Sequence, residues 1–280
     1  METFASGRKD HYYGKGDVIV YRLNRDGQGP GGSSPVFGAS VLILIYGEAF
    51  WPTYTTGDNS ALVATDSMKN FIQRETVAFV GAGLENYCKY LGDKFMATYP
   101  QVEGVQVSAV EIPYAGSGLL FTPAGPERAL ARVELTRDGV VEAVSGIRGF
   151  KLLRLGGSAF EGFVRDQYTT LPDIANRPLH MWLDLEWSYT RADVAFNDGR
   201  VVSQVRGIVM RVFEAFESGS IQQVIHQMGT KMLADIPEIA EVHLEANNRT
   251  WDTVTEQGDT LGIFTDARPP YGCLGLRLRR

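Results

Sequence analysis

Alternating apolar and polar positions mark two strands near the start of the chain, at 17–24 (DVIVYRLN) and 38–46 (GASVLILIY), joined by the turn-rich loop RDGQGPGGSSP. The period then lengthens. A short helix is predicted from Asp66 to Gln73, with Thr65 or Asp66 as its cap, and a longer one over 77–98, where Leu84, Tyr87, Cys88, Leu91 and Phe95 recur every three or four residues. Strands resume at 104–113, 130–136 and 139–144, the last two separated by an Arg-Asp-Gly turn. The second half repeats this order: strands at 148–155 and 179–190, helices at 198–216 and 219–235, and strands at 240–247 and 271–278. In the two helices, Val205, Val209, Val212, Phe213 and Phe216, and then Ile221, Val224, Ile225, Met228 and Met232, face inward. Two strands, helices, two strands, repeated, imply an α+β protein of two tandem units, 1–145 and 146–280.

Composition narrows the class. Of 280 residues 44% are hydrophobic and 21% charged, enough to bury a core without staples. Cys88 and Cys273 alone are too few for a disulfide framework or a thiolate zinc site, which fits a reducing compartment. A net charge of −6 with scattered basic residues argues against a nucleic-acid binder. The longest apolar run, VLILIY at 41–46, is far too short to span a membrane, and the opening residues lack the apolar centre of a signal peptide, so the expected location is cytoplasmic. His11, His180, His226 and His243 never fall into a metal-ligand spacing, and no metal is expected. Gly81-Ala82-Gly83 begins like a dinucleotide loop, but Asn86 stands where the third glycine belongs, so it reads as a packing feature.

Three clusters carry chemistry. In YGKGDVIVYR (13–22) Lys15 stands between glycines just before a strand; in DNSALVATDSMKN (58–70) Thr65-Asp66 opens a helix; in FEGFVRDQYTTLPDIANR (160–177) aromatics interleave with Arg165, Asp166 and Arg177. Singly these read as a solvated lysine, a helix cap and a packed aromatic corner. Together, YGK-x-x-V-x-VYR, VATDSMKN and F-x-GF-x-RD-x-YTTL followed by Arg177, with SIQQ at 220–223 and ANNR at 246–249, resemble in order and spacing the signature blocks of the urate oxidase (uricase) family.

That resemblance implies two tandem tunnelling-fold units per chain, each an antiparallel sheet with a helix pair on one face, assembling as a homotetramer into a hollow barrel with active sites at subunit interfaces. It also implies a cofactor-free reaction of urate with dioxygen. Phe160 matches the ring that stacks on the purine, Arg177 the fork that binds its pyrimidine edge, Gln222 the amide on the same edge, and Ile221 a backbone donor. Asn248 matches the side chain that holds dioxygen or water above the ring, while Lys15 and Thr65, with Asp66 beside it, match the proton-handling pair from the other subunit. A ring, a planar cation and an amide suit the face and edge of a flat acidic purine. The chain departs at Thr250, where the family carries histidine; a hydroxyl can relay a proton, but Lys15 is left as the obvious base, with His226 and His243 as further candidates to approach the site. Two other readings are a non-catalytic urate-binding or structural homologue, and another tunnelling-fold enzyme acting on a purine or pterin.

Overall fold

The structure is a computed structural model that describes residues 4–7, 9–29, 34–249, 251–258, 260–266 and 269–280. It divides into two compact units, residues 1–147 with 188–202, and residues 148–187 with 203–280.

In the first unit, β1 (Tyr13–Leu23), β2 (Val36–Tyr46), β3 (Gly104–Glu111), β6 (Arg128–Thr136) and the opening of β7 (Gly139–Phe160) are neighbours in that order. The first four pair antiparallel, and a small hairpin, β4 (Tyr114–Ser117) with β5 (Leu120–Pro123), projects after β3. A one-turn α1 (Trp51–Thr55) precedes α2 (Thr65–Ala78) and α3 (Leu84–Thr98), which cover one face of the sheet. The predicted inward residues of α3 are all buried, as are Val105 and Val107 of β3 and Val133 and Leu135 of β6, the two strands on which α3 packs. The helix expected over 77–98 is broken. Ala78 ends α2 and Phe79–Gly83 is non-helical; Gly83, at φ +80°, is the residue before α3, and a Cβ there would press on the backbone of Gly199.

In the second unit, the rest of β7, β8 (Ile174–Tyr189, through Trp187), β9 (Ile239–Asn248) and β12 (Gly272–Arg279) are neighbours in that order. The helices α4 (Arg200–Ala215) and α5 (Ile221–Asp235) follow β8, and α5 packs on β9 and β12. A second hairpin, β10 (Thr253–Gln257) with β11 (Leu261–Phe264), leads to β12. Alternate residues of β8, from Leu179 to Trp187, are buried, as are Val242, Leu244 and Ala246 of β9. Those residues form the helix-side core, so the intervening positions of both strands lie on the opposite face.

The strands predicted at 139–144 and 148–155 are one strand, β7, with glycines at φ +69° (Gly149) and +74° (Gly157) within it. Each turns its amide toward a side chain of β8: Gly149 donates to Asp184 at 2.7 Å and Gly157 to Asn176 at 2.7 Å. No helix of the described residues is long and apolar enough to cross a membrane.

Candidate active site

In the second unit a cavity of about 570 Å³ opens at the ends of β7 and β8 and the start of α5. Phe160, Arg177, Ile221, Gln222 and Asn248, five of the residues singled out from the sequence, all line it. Phe160 ends β7 and stacks on Phe163, ring centroids 5.0 Å apart at 12°. Arg177 comes from β8, on the side of the core residue Leu179, and its guanidinium lies 5.7 Å from the Phe160 ring. Burial pulls the Arg177 pKa down from its ordinary value, and its Nε has no protein partner. An arginine on a sheet face, desolvated and unpartnered at Nε, is poised for an anionic acceptor.

Ser220 caps α5, its hydroxyl accepting from the Gln223 amide at 3.2 Å. The amides of Ile221 and Gln222 come earlier in that first turn, where no intrahelical carbonyl is available, and they add the positive end of the helix dipole to the cavity. Asn248 ends β9 opposite Gly272 of β12. The cavity therefore presents a ring for stacking, a planar cation and amide donors within one unit.

Lys15, Thr65 and Asp66 lie together in the first unit. Lys15 stands on β1 opposite Ile43, beside the irregularity between Lys15 and Val18, and is half-buried. Gly14 is required here, because a Cβ would sit 1.8 Å from the Ile43 carbonyl oxygen. Tyr13 packs edge-on against Phe50 and accepts the Val63 amide at 2.9 Å, which anchors the start of α2 beside β1. Burial pushes the Tyr13 hydroxyl up to about 12, so it stays a neutral anchor. Thr65 is the first residue of α2 rather than its cap; Ala64 holds the cap position and makes no side-chain bond. Asp66 is kept below the usual carboxylate range chiefly by its hydrogen bond to Lys69, with further help from Asn70 and the charge of Lys15. Thr250 lies outside the described residues. Neither His226, exposed on α5, nor His243, 3.7 Å from Glu245, lines the cavity. No group of three or more His, Cys, Asp or Glu among the described residues could hold a metal.

Several lining residues were not foreseen. His180 and Trp251 pack 5.1 Å apart, and burial, with Lys151 and Arg249 nearby, lowers the His180 pKa against the pull of Asp266. On the face of the sheet away from the helices, Arg249 sits 4.1 Å from the Trp182 ring and 3.9 Å from Tyr271, and Lys151 sits 4.2 Å from Trp182. Cation and ring thus alternate from Lys151 of β7 and Trp182 of β8 to Arg249, just after β9, and Tyr271, just before β12. The sequence signal was the basic and aromatic residues at alternate strand positions, which carry no mark of their cross-strand partners.

The fold and the cavity define an α+β protein whose antiparallel sheets carry paired helices on one face and whose second unit offers a slot for a flat, hydrogen-bonding anion. Comparison with known proteins narrows this class. The Uricase family profile matches residues 48–130 and 143–273. A uric acid degradation bifunctional protein of Bacillus sp. TB-90 is 34% identical across 93% of this chain, which spans 58% of that protein's length. A uricase of Haloferax volcanii is 37% identical over 88% of this chain and 90% of its own. The crystal structure of a uricase from Bacillus fastidious superposes with a TM-score of 0.86 at 35% identity, covering 98% of this chain and 94% of that one. This chain belongs to the uricase family.

Proposed function

We propose that the chain is a cofactor-independent urate oxidase, converting urate, dioxygen and water to 5-hydroxyisourate and hydrogen peroxide. The observation that carries the reading is the convergence of Phe160, Arg177, the α5 amides with Gln222, and Asn248 on one cavity. Urate is flat and acidic. Its face stacks on Phe160, its pyrimidine edge takes the Arg177 fork and the Gln222 amide, and the helix terminus stabilises its charge. Asn248 holds dioxygen or water against the ring.

Lys15 and Thr65, with Asp66 beside them, act as the proton-handling group, removing a proton from bound urate so that the electron-rich dianion reduces dioxygen. The two electrons come from urate itself; hydration of the oxidised ring at C5 then completes the product, and the two protons leave with peroxide. The protein's part is orientation, proton transfer and electrostatic stabilisation. In this reading the two units are tandem tunnelling-fold repeats, and the working form is a cytoplasmic homotetramer in which the Lys15–Thr65 group of one subunit completes the Arg177 cavity of another. Thr250 holds or relays through water rather than acting as a base.

The test is direct. Purified protein given urate in air should consume it with stoichiometric release of peroxide, stop when oxygen is removed, and keep its rate after dialysis against a chelator. Urate binding without consumption would identify a non-catalytic homologue; rate loss on chelation would refute the cofactor-independent mechanism.

A further inference from the structure

We infer that Asn176 and Arg154 are positioning residues that lock Phe160, Arg177 and the α5 N-terminus into one rigid frame, an inference that rests on the urate reading of the cavity. The frame centres on Gly157. Its amide donates 2.7 Å to Asn176 Oδ1, the residue beside Arg177 on β8. Its carbonyl accepts the Ser218 amide at 3.1 Å and Arg154 Nη2 at 2.7 Å. Ser218 in turn accepts the Ala159 amide at 2.8 Å, one residue before Phe160, and precedes the Ser220 cap by two residues.

Arg154 closes the frame from the other side. Its guanidinium donates to the Phe213 carbonyl at 2.9 Å, to the Phe216 carbonyl, and to Ser218 Oγ at 3.3 Å, while its plane lies 5.6 Å from the Phe213 ring. Burial lowers its pKa against the pull of Glu217, and its Nη1 donates to carbonyls at the end of α4 and in the turn into α5. Ser158 and Ser218, both buried, form an isolated bridge between the same segments. Three contact elements from sequence positions 160, 177 and 221–222 are therefore referenced to one residue, Gly157, through its N–H and its C=O, rather than each to its own strand or helix.

The proposal is tested on the 280-residue chain with Asn176→Ala and Arg154→Met, and with Arg154→Lys as the conservative variant. Circular dichroism and Tm establish folding; urate KM and kcat are read with the pH profile, and affinity for xanthine, which shares the dione edge of urate but lacks its C8 oxygen, is read by titration. A misplaced ring or fork should raise KM and the xanthine Kd ~10- to 100-fold. The pH profile of kcat should not move, because Lys15 is untouched, and Arg154→Lys should recover part of the loss. In a Phe160→Ala background the Asn176→Ala penalty should shrink, since the ring it positions is gone. Parental xanthine affinity in folded Asn176→Ala, or a penalty unchanged in the Phe160→Ala background, overturns the frame. If Arg177→Ala also binds xanthine as the parent does, the urate reading itself fails and the proposal with it; lost binding in Arg177→Ala beside parental binding in Asn176→Ala sinks the frame alone.

Discussion

Arg177→Lys is expected to separate binding from stability. In the structure the guanidinium is half-buried, pays a desolvation penalty that lowers its pKa, and leaves Nε without a protein partner. Lysine keeps the charge but replaces a planar fork by a single point donor, losing one charge-assisted hydrogen bond of roughly 1.5–3 kcal/mol. At about 1.4 kcal/mol per tenfold, urate analogue affinity should fall roughly 10- to 150-fold. Arg177→Leu should lose more affinity, yet its Tm should equal or exceed the parent's, because a half-buried, desolvated guanidinium whose Nε has no protein partner gives way to an apolar side chain. Isothermal titration with xanthine and thermal scans in the absence of ligand give both quantities. A Tm drop of the size seen for core truncations in Arg177→Leu would show that the guanidinium is a structural tie, and unchanged xanthine affinity in Arg177→Lys would remove it from the binding edge.

Other outcomes follow from the same geometry. Lys15→Met should lower kcat by ~100- to 10,000-fold with little change in xanthine affinity, measured by steady-state oxidation and titration. Thr250→His should raise turnover or add an ionisation near pH ~6–7 to the rate profile, because imidazole titrates there and threonine does not. Co-expressed Thr65→Ala and Phe160→Ala chains should regain activity up to roughly a quarter of parental sites if pairing is random; no recovery in hybrids verified by mass spectrometry would argue against a shared site. Glu85 is buried on α3, accepts the Ser145 hydroxyl, and burial raises its pKa. A raised carboxyl pKa contributes stability below the unfolded value that is lost as pH rises through the folded one, so Glu85→Gln should stabilise the protein at neutral pH and not in acid; a pH series of denaturant melts tests the sign.

What could be read in advance was whatever burial periodicity or side-chain chemistry announces. The inward residues of α3 and α5 follow from three- and four-residue spacing, and Phe160, Arg177 and Gln222 from their place in recognisable blocks. The two small hairpins escaped because their strands are only four or five residues long and largely exposed, so they have no apolar alternation. The break at Phe79–Gly83 escapes because Val77, Val80 and Leu84 keep a three- and four-residue apolar spacing across it, although Gly81-Ala82-Gly83 is the available signal. The pattern reads β7 as two strands, 139–144 and 148–155, yet the strand continues through Ser145-Gly146-Ile147, and Gly149 and Gly157 further along it turn their amides toward β8. Arg154 was invisible for another reason: an arginine in a strand reads as solvated unless the carbonyls it meets, some 60 residues away, are known.

The open donors around the cavity bear on how long such a protein survives in a cell. Arg177 Nε, which has no protein partner, and the first amides of α5 can take an anionic ligand, and any ligand that binds the folded chain alone stabilises it. If urate fills the cavity at a hundred times its Kd, mass action adds about 2.7 kcal/mol to the folded state. The population of opened chains on which proteases act would then shrink about a hundredfold, in regimes where degradation follows the opening equilibrium. Chains would persist while substrate is plentiful and be cleared once it is exhausted, so abundance would track demand without a separate sensor.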